Sequence, residues 1–335
     1  MSFNRKVAAA AMIMIFIFEL WSWGIFERHP GIKNPVIEEN IPVNSEKERE
    51  ETAPPEIVPE QQAEEEVSCE AETEPLRAVM ETVWDEEILE TRIQGGLKIK
   101  NATSYEVDVR EILSKKPDIK LPEEGPQILI IHTHSSEAYT QAGLDHYEAN
   151  DDHRTADKEH NIIRIGDELT AIFEAAGLNV LHDREIYDYP SYTGSYTRSG
   201  QAVEKYLEQY PDIAVVFDVH RDAIGEKGVV YKTMAEEKGV CASQLMLLSG
   251  SDNSGLYHPN WKSNLSLALY LQNAVSAKHP SLMRPVSLVR ERYNQQLTGG
   301  SLIIEVGSSG NTLQEALAGI RLFADAAAPA LLELR

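Results

Sequence analysis

Three separated strings hold the side chains that could do chemistry. They are His132-Thr133-His134-Ser135-Ser136-Glu137, Asp218-Val219-His220-Arg221-Asp222 and Ile304-Glu305-Val306-Gly307. The first has the spacing His134-x-x-Glu137, which lets one turn of chain offer a nitrogen and an oxygen to a single cation. Two imidazoles and a carboxylate with an open fourth position form a catalytic zinc set. A further glutamate nearby would serve as general base for a water whose pKa the metal lowers to ~7. Each string alone has a plainer reading as loop hydrogen bonding, capping or ion pairing. The argument rests on their coincidence.

The elements that must position these residues read as strands. Ile128-Leu129-Ile130-Ile131, Ile213-Ala214-Val215-Val216-Phe217 and Ser301-Leu302-Ile303-Ile304 are apolar runs of the kind buried on both faces of a sheet. Each stops in the polar residues named above, and in open α/β sheets the carboxyl ends of strands are where ligands bind. Gln244 to Leu248 is a further such run and Asn179-Val180-Leu181 a shorter one. Leu97 to Lys100 and Tyr105 to Val109 alternate and suggest a hairpin. Ile162, Ile165, Leu169, Ile172 and Phe173 mark one face of a helix that Gly177 closes. Ser199 to Tyr210 and Asn264 to Ala277 are helical, and Thr312-Leu313-Gln314-Glu315 is a capping box that opens a last helix. Strands alternating with helices predict an α/β fold with a largely parallel central sheet flanked by helices.

The chain has 335 residues, enough for one or two domains with ample core. A net charge of −23 argues against nucleic acid as a partner, because that surface would need to be basic. Much of the acidity is local: residues 31 to 75 hold 14 Glu against Lys33, Lys47 and Arg49. Residues 28 to 84 therefore read as a self-repelling, disordered linker rich in Glu and Pro. Before it, Val7 to Phe26 is an apolar run broken by one charge, Glu19, and preceded by Arg5 and Lys6. About 20 apolar residues suffice to cross a bilayer, and the basic flank sets the N-terminus in the cytoplasm. No small-x-small cleavage site follows; Trp21, Trp23 and Phe26 stand there as an interfacial belt, so an uncleaved single-pass anchor over residues 1–27 is favoured over a cleaved signal peptide. The expected localisation is a membrane-anchored protein with its third region, residues 85–335, outside the cytoplasm. The two cysteines, Cys69 and Cys241, make no disulfide framework, and with Cys69 in the acidic stretch a bridge between them is not expected.

The strings around His134, His220 and Glu305, together with His258-Pro259-Asn260-Trp261 and Asn264-Leu265, resemble the stage II sporulation protein P family. That family comprises membrane-anchored zinc N-acetylmuramoyl-L-alanine amidases that also act as peptidoglycan endopeptidases. The resemblance covers roughly residues 85 to 335 and the N-terminal apolar segment. More distantly, Glu305-Val306-Gly307 with Asn311 is similar to the Glu-x-Gly motif of other zinc muramoyl-alanine amidases, departing at Ser308, where an aromatic is usual.

The resemblance implies Zn2+ as cofactor, His220 as a ligand and Glu305 as the base. It leaves the first ligand open between His132 and His134; the spacing favours His134, with His132 supporting the loop or touching substrate. The acidic ligand is Glu137, or a residue near the start of the next helix, where His160 is an alternate beside Asp157 and Glu159. Arg221 is a candidate to steady the oxyanion. Asn253, His258, Trp261 and Asn311 are candidates to line the substrate groove, Trp261 by stacking on sugar. Implied partners are peptidoglycan and a sporulation complex with a second wall hydrolase and a membrane protein. Two other classes stay in view: a catalytically silent wall-binding scaffold, and a zinc carboxypeptidase acting on stem peptides.

Overall fold

The structure is a computed structural model and describes residues 87–91, 99–142, 153–226 and 229–335, the first of these segments in its backbone only. The elements in chain order are β1 (Glu87–Thr91), β2 (Ile99–Asn101), α1 (Val109–Leu113), β3 (Ile128–Ile131), α2 (Ile162–Ala175), β4 (Val180–His182), α3 (Ser195–Gln209), β5 (Val215–Asp222), β6 (Gly225–Glu226), β7 (Val229–Glu237), β8 (Val240–Ser243), β9 (Leu245–Ser249), α4 (Trp261–Lys278), β10 (Val286–Leu288), β11 (Ser301–Ser308) and α5 (Leu313–Leu332). A seven-stranded sheet runs β2-β10-β9-β11-β5-β3-β4, and a smaller one joins β1, β7 and β6, with β8 paired to β7.

The apolar runs sit where their composition predicts. All four residues of β3 are buried, and removing each side chain from water stabilises the fold by roughly 1.5–3 kcal/mol. Alternation splits the sheet's two faces. Ile128 and Ile130, Val215, Phe217 and Val219, Leu302, Ile304 and Val306 join the larger core with residues of α2, α4 and α5. Leu129, Ile131 and Val216 form a smaller cluster with Val203 of α3. The sheet is thus flanked by helices on both sides, unequally.

Helix ends follow their sequence signals. Asn161 caps α2 by accepting from the Ile163 amide, and Gly177 takes φ +93 just past its end. The Thr312/Glu315 capping box of α5 is complete. Two strands are longer than the apolar runs alone suggest: β5 continues to Asp222 and β11 to Ser308, so His220 and Glu305 lie within paired strands.

Several expectations are corrected. The expected hairpin over 97–109 begins outside the described residues, and from residue 99 on none forms: β2 pairs in parallel with β10, and Asp108 instead caps α1 through the amides of Arg110 and Glu111. A short polar side chain at that position satisfies the free amides of a helix start better than it serves a strand. The strand β9 runs antiparallel to β11, and β10 and β2 follow it, so the sheet consists of two parallel halves facing opposite ways. Cys241 on β8 is disulfide-bonded; the only other cysteine in the sequence is Cys69, which lies outside the described residues. The expected anchor (1–27) and linker (28–84) also lie outside the described residues. The expected membrane localisation is corrected too, since among the described residues no helix is long and apolar enough to cross a membrane.

Candidate metal centre

The turn after β3 carries the first string. The Glu137 amide donates to the His134 carbonyl at 3.0 Å, which closes the chain between the two residues. Ser135 donates to the carbonyls of His132 and Glu185, and the Ser136 amide and hydroxyl donate to Asp188 at 2.9 and 2.7 Å. The polar residues between the candidate ligands thus fix the turn and leave His134 and Glu137 to point elsewhere.

They point at His220. Nδ1 of His134 lies 3.4 Å from Oε1 of Glu137, and Nδ1 of His220 lies 3.4 Å from its Oε2. The two imidazole rings meet edge to face at 5.1 Å. One ligand atom from each of the three residues falls within 4.8 Å of the others. Two ligands at about 2.0–2.1 Å from one tetrahedral ion stand roughly 3.3–3.4 Å apart, so the spacing fits a zinc-sized cation. The donor chemistry fits as well. The second nitrogen of His220, Nε2, lies 2.8 Å from Oδ1 of Asp218, at an angle short of an in-line hydrogen bond. A carboxylate behind a ligand imidazole fixes the ring's orientation and raises its basicity. Asp218 is itself held by the Thr133 amide and hydroxyl at 2.8 and 2.6 Å.

Electrostatics agree with the geometry. Burial raises the Glu137 carboxyl, but hydrogen bonding from His134 and His220 and the nearby Arg221 outweigh it and hold it well below the usual carboxylate range. Burial disfavours charge on His220, yet Asp218 and Glu137 push its pKa well above the usual value. This set of groups favours positive charge at its centre.

Glu305 stands beside this cluster. Its Cα pairs with that of His220 across β11 and β5, which places it about 4.8 Å away along the sheet. Its Oε2 is buried with no hydrogen-bond partner among the described residues. Burial, then Asp222 and Glu137, raise its pKa to about 8 against the opposing pull of His220 and Arg284. A carboxylate kept unpaired and basic is suited to accept a proton. Gly307 has φ +65, and a Cβ there would stand 2.9 Å from Asn311 and from Ser243, so the close turn behind Glu305 requires glycine.

The other sequence candidates are placed elsewhere. His132 is wholly buried; its Nδ1 meets the Val219 carbonyl at 2.9 Å and its Nε2 meets His182 at 2.8 Å. His160 bonds Asp157 at 2.8 Å and is not in the cluster. Arg221, the oxyanion candidate, is buried and tied to backbone: Nε to the Ala138 carbonyl, Nη2 to that of His153, and its amide to Glu137. It holds the loop of Glu137 and Ala138 against β5. Asn311 is fully buried, accepting from the Thr233 and Ser308 amides and donating to Glu315, so it braces the β11–α5 turn. Asn253, His258 and Trp261 follow β9. Because β9 is reversed, they stand at the opposite strand edge from Glu305: Asn253 bonds Ser104, His258 is buried, and Trp261 stacks on Tyr105 at 4.7 Å.

Sequence reasoning missed a layer of residues around the candidate ligands. Tyr192 stacks on His134 at 4.6 Å and Tyr196 meets it edge-on at 5.3 Å. Arg154 lies 5.0 Å over Tyr192 and pairs with Asp188 at 2.6 Å and Glu137 at 3.3 Å. The run Tyr187-Asp188-Tyr189-Pro190-Ser191-Tyr192 was the available signal, an aromatic-rich loop between two elements.

These features define an α/β protein with a candidate metal centre of the two-histidine, one-carboxylate kind on its central sheet. A family model described as stage II sporulation protein P matches residues 25–328, and the chain belongs to that family. Stage II sporulation protein P of Bacillus subtilis (strain 168) is 25% identical over 199 residues, 56% of this chain and 47% of the relative. The aligned part is thus about half the length of the curated relative. Among solved structures, N-acetylmuramoyl-L-alanine amidase AmiC2 of Nostoc punctiforme matches at 13% identity and TM-score 0.36, over 62% of this chain and 97% of its own. The CwlD amidase from Clostridioides difficile, solved in complex with the GerS lipoprotein, matches at 15% and 0.37, over 62% and 98%.

Proposed function

We propose that this chain is a sporulation peptidoglycan hydrolase that cleaves the amide between N-acetylmuramic acid and L-alanine, with stem-peptide cross-links as a second class of substrate and residues 85–335 as the catalytic unit. The observation that carries the reading is the convergence of His134, Glu137 and His220 on one point beside Glu305, whose Oε2 is buried with no hydrogen-bond partner among the described residues. Family membership supports the sporulation context and, with it, a complex with a second wall hydrolase and a membrane protein.

His134, Glu137 and His220 would hold Zn2+, which supplies Lewis acidity and lowers the pKa of water. Glu305 accepts the proton of the attacking water and later returns it to the leaving amine nitrogen of L-alanine. Asp218 keeps His220 oriented, while Arg221 and Arg154 hold the Glu137 loop.

The test is a paired measurement on the purified full chain, zinc content together with mass spectrometry of products from intact glycan strands. About one zinc per chain and free stem peptides beginning at L-alanine are expected. Wall binding without zinc or release of peptides would leave the scaffold reading standing, and loss of only the terminal stem residue would make the enzyme a carboxypeptidase.

A further inference from the structure

Amide hydrolysis by water needs more than a nucleophile and a base. As the C–O bond forms, the carbonyl electron pair moves onto oxygen, and a donor is needed where that charge grows. The two arginines nearest the ligands are committed elsewhere. Arg221 donates to the Ala138 and His153 carbonyls; Arg154 donates to Asp188, Ser136 and Glu137.

Tyr196 is placed differently. It lies in the first turn of α3, and that turn is locked. The Tyr196 carbonyl accepts from the Asn294 side chain at 2.7 Å, and Arg198, two residues on, gathers the carbonyls of Tyr187, Ser191 and Thr193. Its ring is held between His134, edge-on at 5.3 Å, and Tyr293 at 5.3 Å. Its carbonyl accepts from Ser199 and Asn294, and among the described residues no side chain bonds its phenol. The contact with His134 sets this ring beside the candidate centre.

We propose that Tyr196 is a further catalytic residue, whose hydroxyl donates a hydrogen bond to the oxygen of the scissile amide as that oxygen becomes anionic. This rests on the amidase reading above. No proton leaves the phenol: the water's proton goes to Glu305, the C–N bond breaks, and the nitrogen takes that proton back. A phenol is a hydroxyl donor that ordinarily stays neutral well above pH 7. A hydroxyl here does what a fixed amide does in an oxyanion hole, and it is carried by a ring already packed on a ligand histidine.

The test compares wild type with Tyr196→Phe in the full chain, using a muramoyl-peptide substrate and a phosphinate analogue in which a tetrahedral phosphorus replaces the amide carbon. Loss of one such donor lowers kcat by about 10²–10³-fold. KM, zinc content and Tm should stay close to wild type, and calorimetric affinity for the phosphinate should fall in proportion to kcat. Unchanged kcat and phosphinate affinity in an active background would overturn the role of Tyr196 and leave the amidase reading intact. A Tyr196→Phe protein that loses zinc, or whose KM rises while kcat holds, would also overturn it. A wild-type protein with zinc but no action on the muramoyl amide would sink both.

Discussion

His220 is addressed by a carboxylate at each ring nitrogen, Glu137 at Nδ1 and Asp218 at Nε2. The sequence displays His220 and Asp218 two residues apart, and strand alternation predicts that they share a face. It does not display Glu137 as their neighbour, since that contact spans two strands. The two roles separate by mutation. Asp218→Asn keeps all three ligands but weakens the ring's orientation, and zinc affinity should fall about 10–100-fold in a competitive chelator titration. Glu305→Gln should keep wild-type zinc affinity and lose about 10²–10⁴-fold in kcat; unchanged turnover would remove Glu305 from the chemistry. The choice between His132 and His134 was also made at this scale. Both are two steps apart and would share a face in a continuing strand, but β3 stops at Ile131 and the following turn parts them. His132 goes beneath the helices, where Gly166 of α2 leaves room for it; a Cβ at Gly166 would stand 2.4 Å from His132 Nε2.

Among the elements, β3, β5 and β11 were legible as apolar runs, and their parallel order puts the three candidate strings at one edge. The direction of β9 was not legible. Leu245 to Leu248 would look the same in either direction, and only its pairing with β11 reverses it, carrying Asn253, His258 and Trp261 to the far edge. The β3–β4 pair has a feature of its own, the contact of buried His132 with half-buried His182. Burial lowers His132 from the usual 6.5 to about 4, against the partial restoring effect of the Val219 carbonyl, and lowers His182 further. The unfolded chain therefore binds more protons than the folded one between these values, so stability rises with pH across the window. The stabilisation from His132 should be present above about pH 6.5 and be lost as pH falls toward 4. Urea midpoints measured over that range should show the slope in wild type and a flatter one in His132→Asn; equal slopes would assign the acid sensitivity elsewhere.

For the whole molecule, the candidate ligands come from a turn and a strand far apart in sequence, so a cation that binds them binds the folded chain and stabilises it by mass action. With free zinc at 100 times Kd the gain is about 2.7 kcal/mol. Tm should rise on adding zinc, fall on adding chelator and recover on reloading. In His134→Ala and His220→Ala the rise should shrink or vanish, whereas His132→Ala should retain it; equal shifts in all three would place the metal elsewhere. The sequence by itself determined the α/β class, the strands that bear the site, the caps that end the helices, and the residue types of the centre, because burial period and turn chemistry are local properties of the chain. The tertiary structure decided which histidine turns inward, that Arg221 clamps a loop, that β9 runs backwards and that tyrosines wall His134. Those outcomes depend on which segments pack against one another, and packing is set by the whole fold.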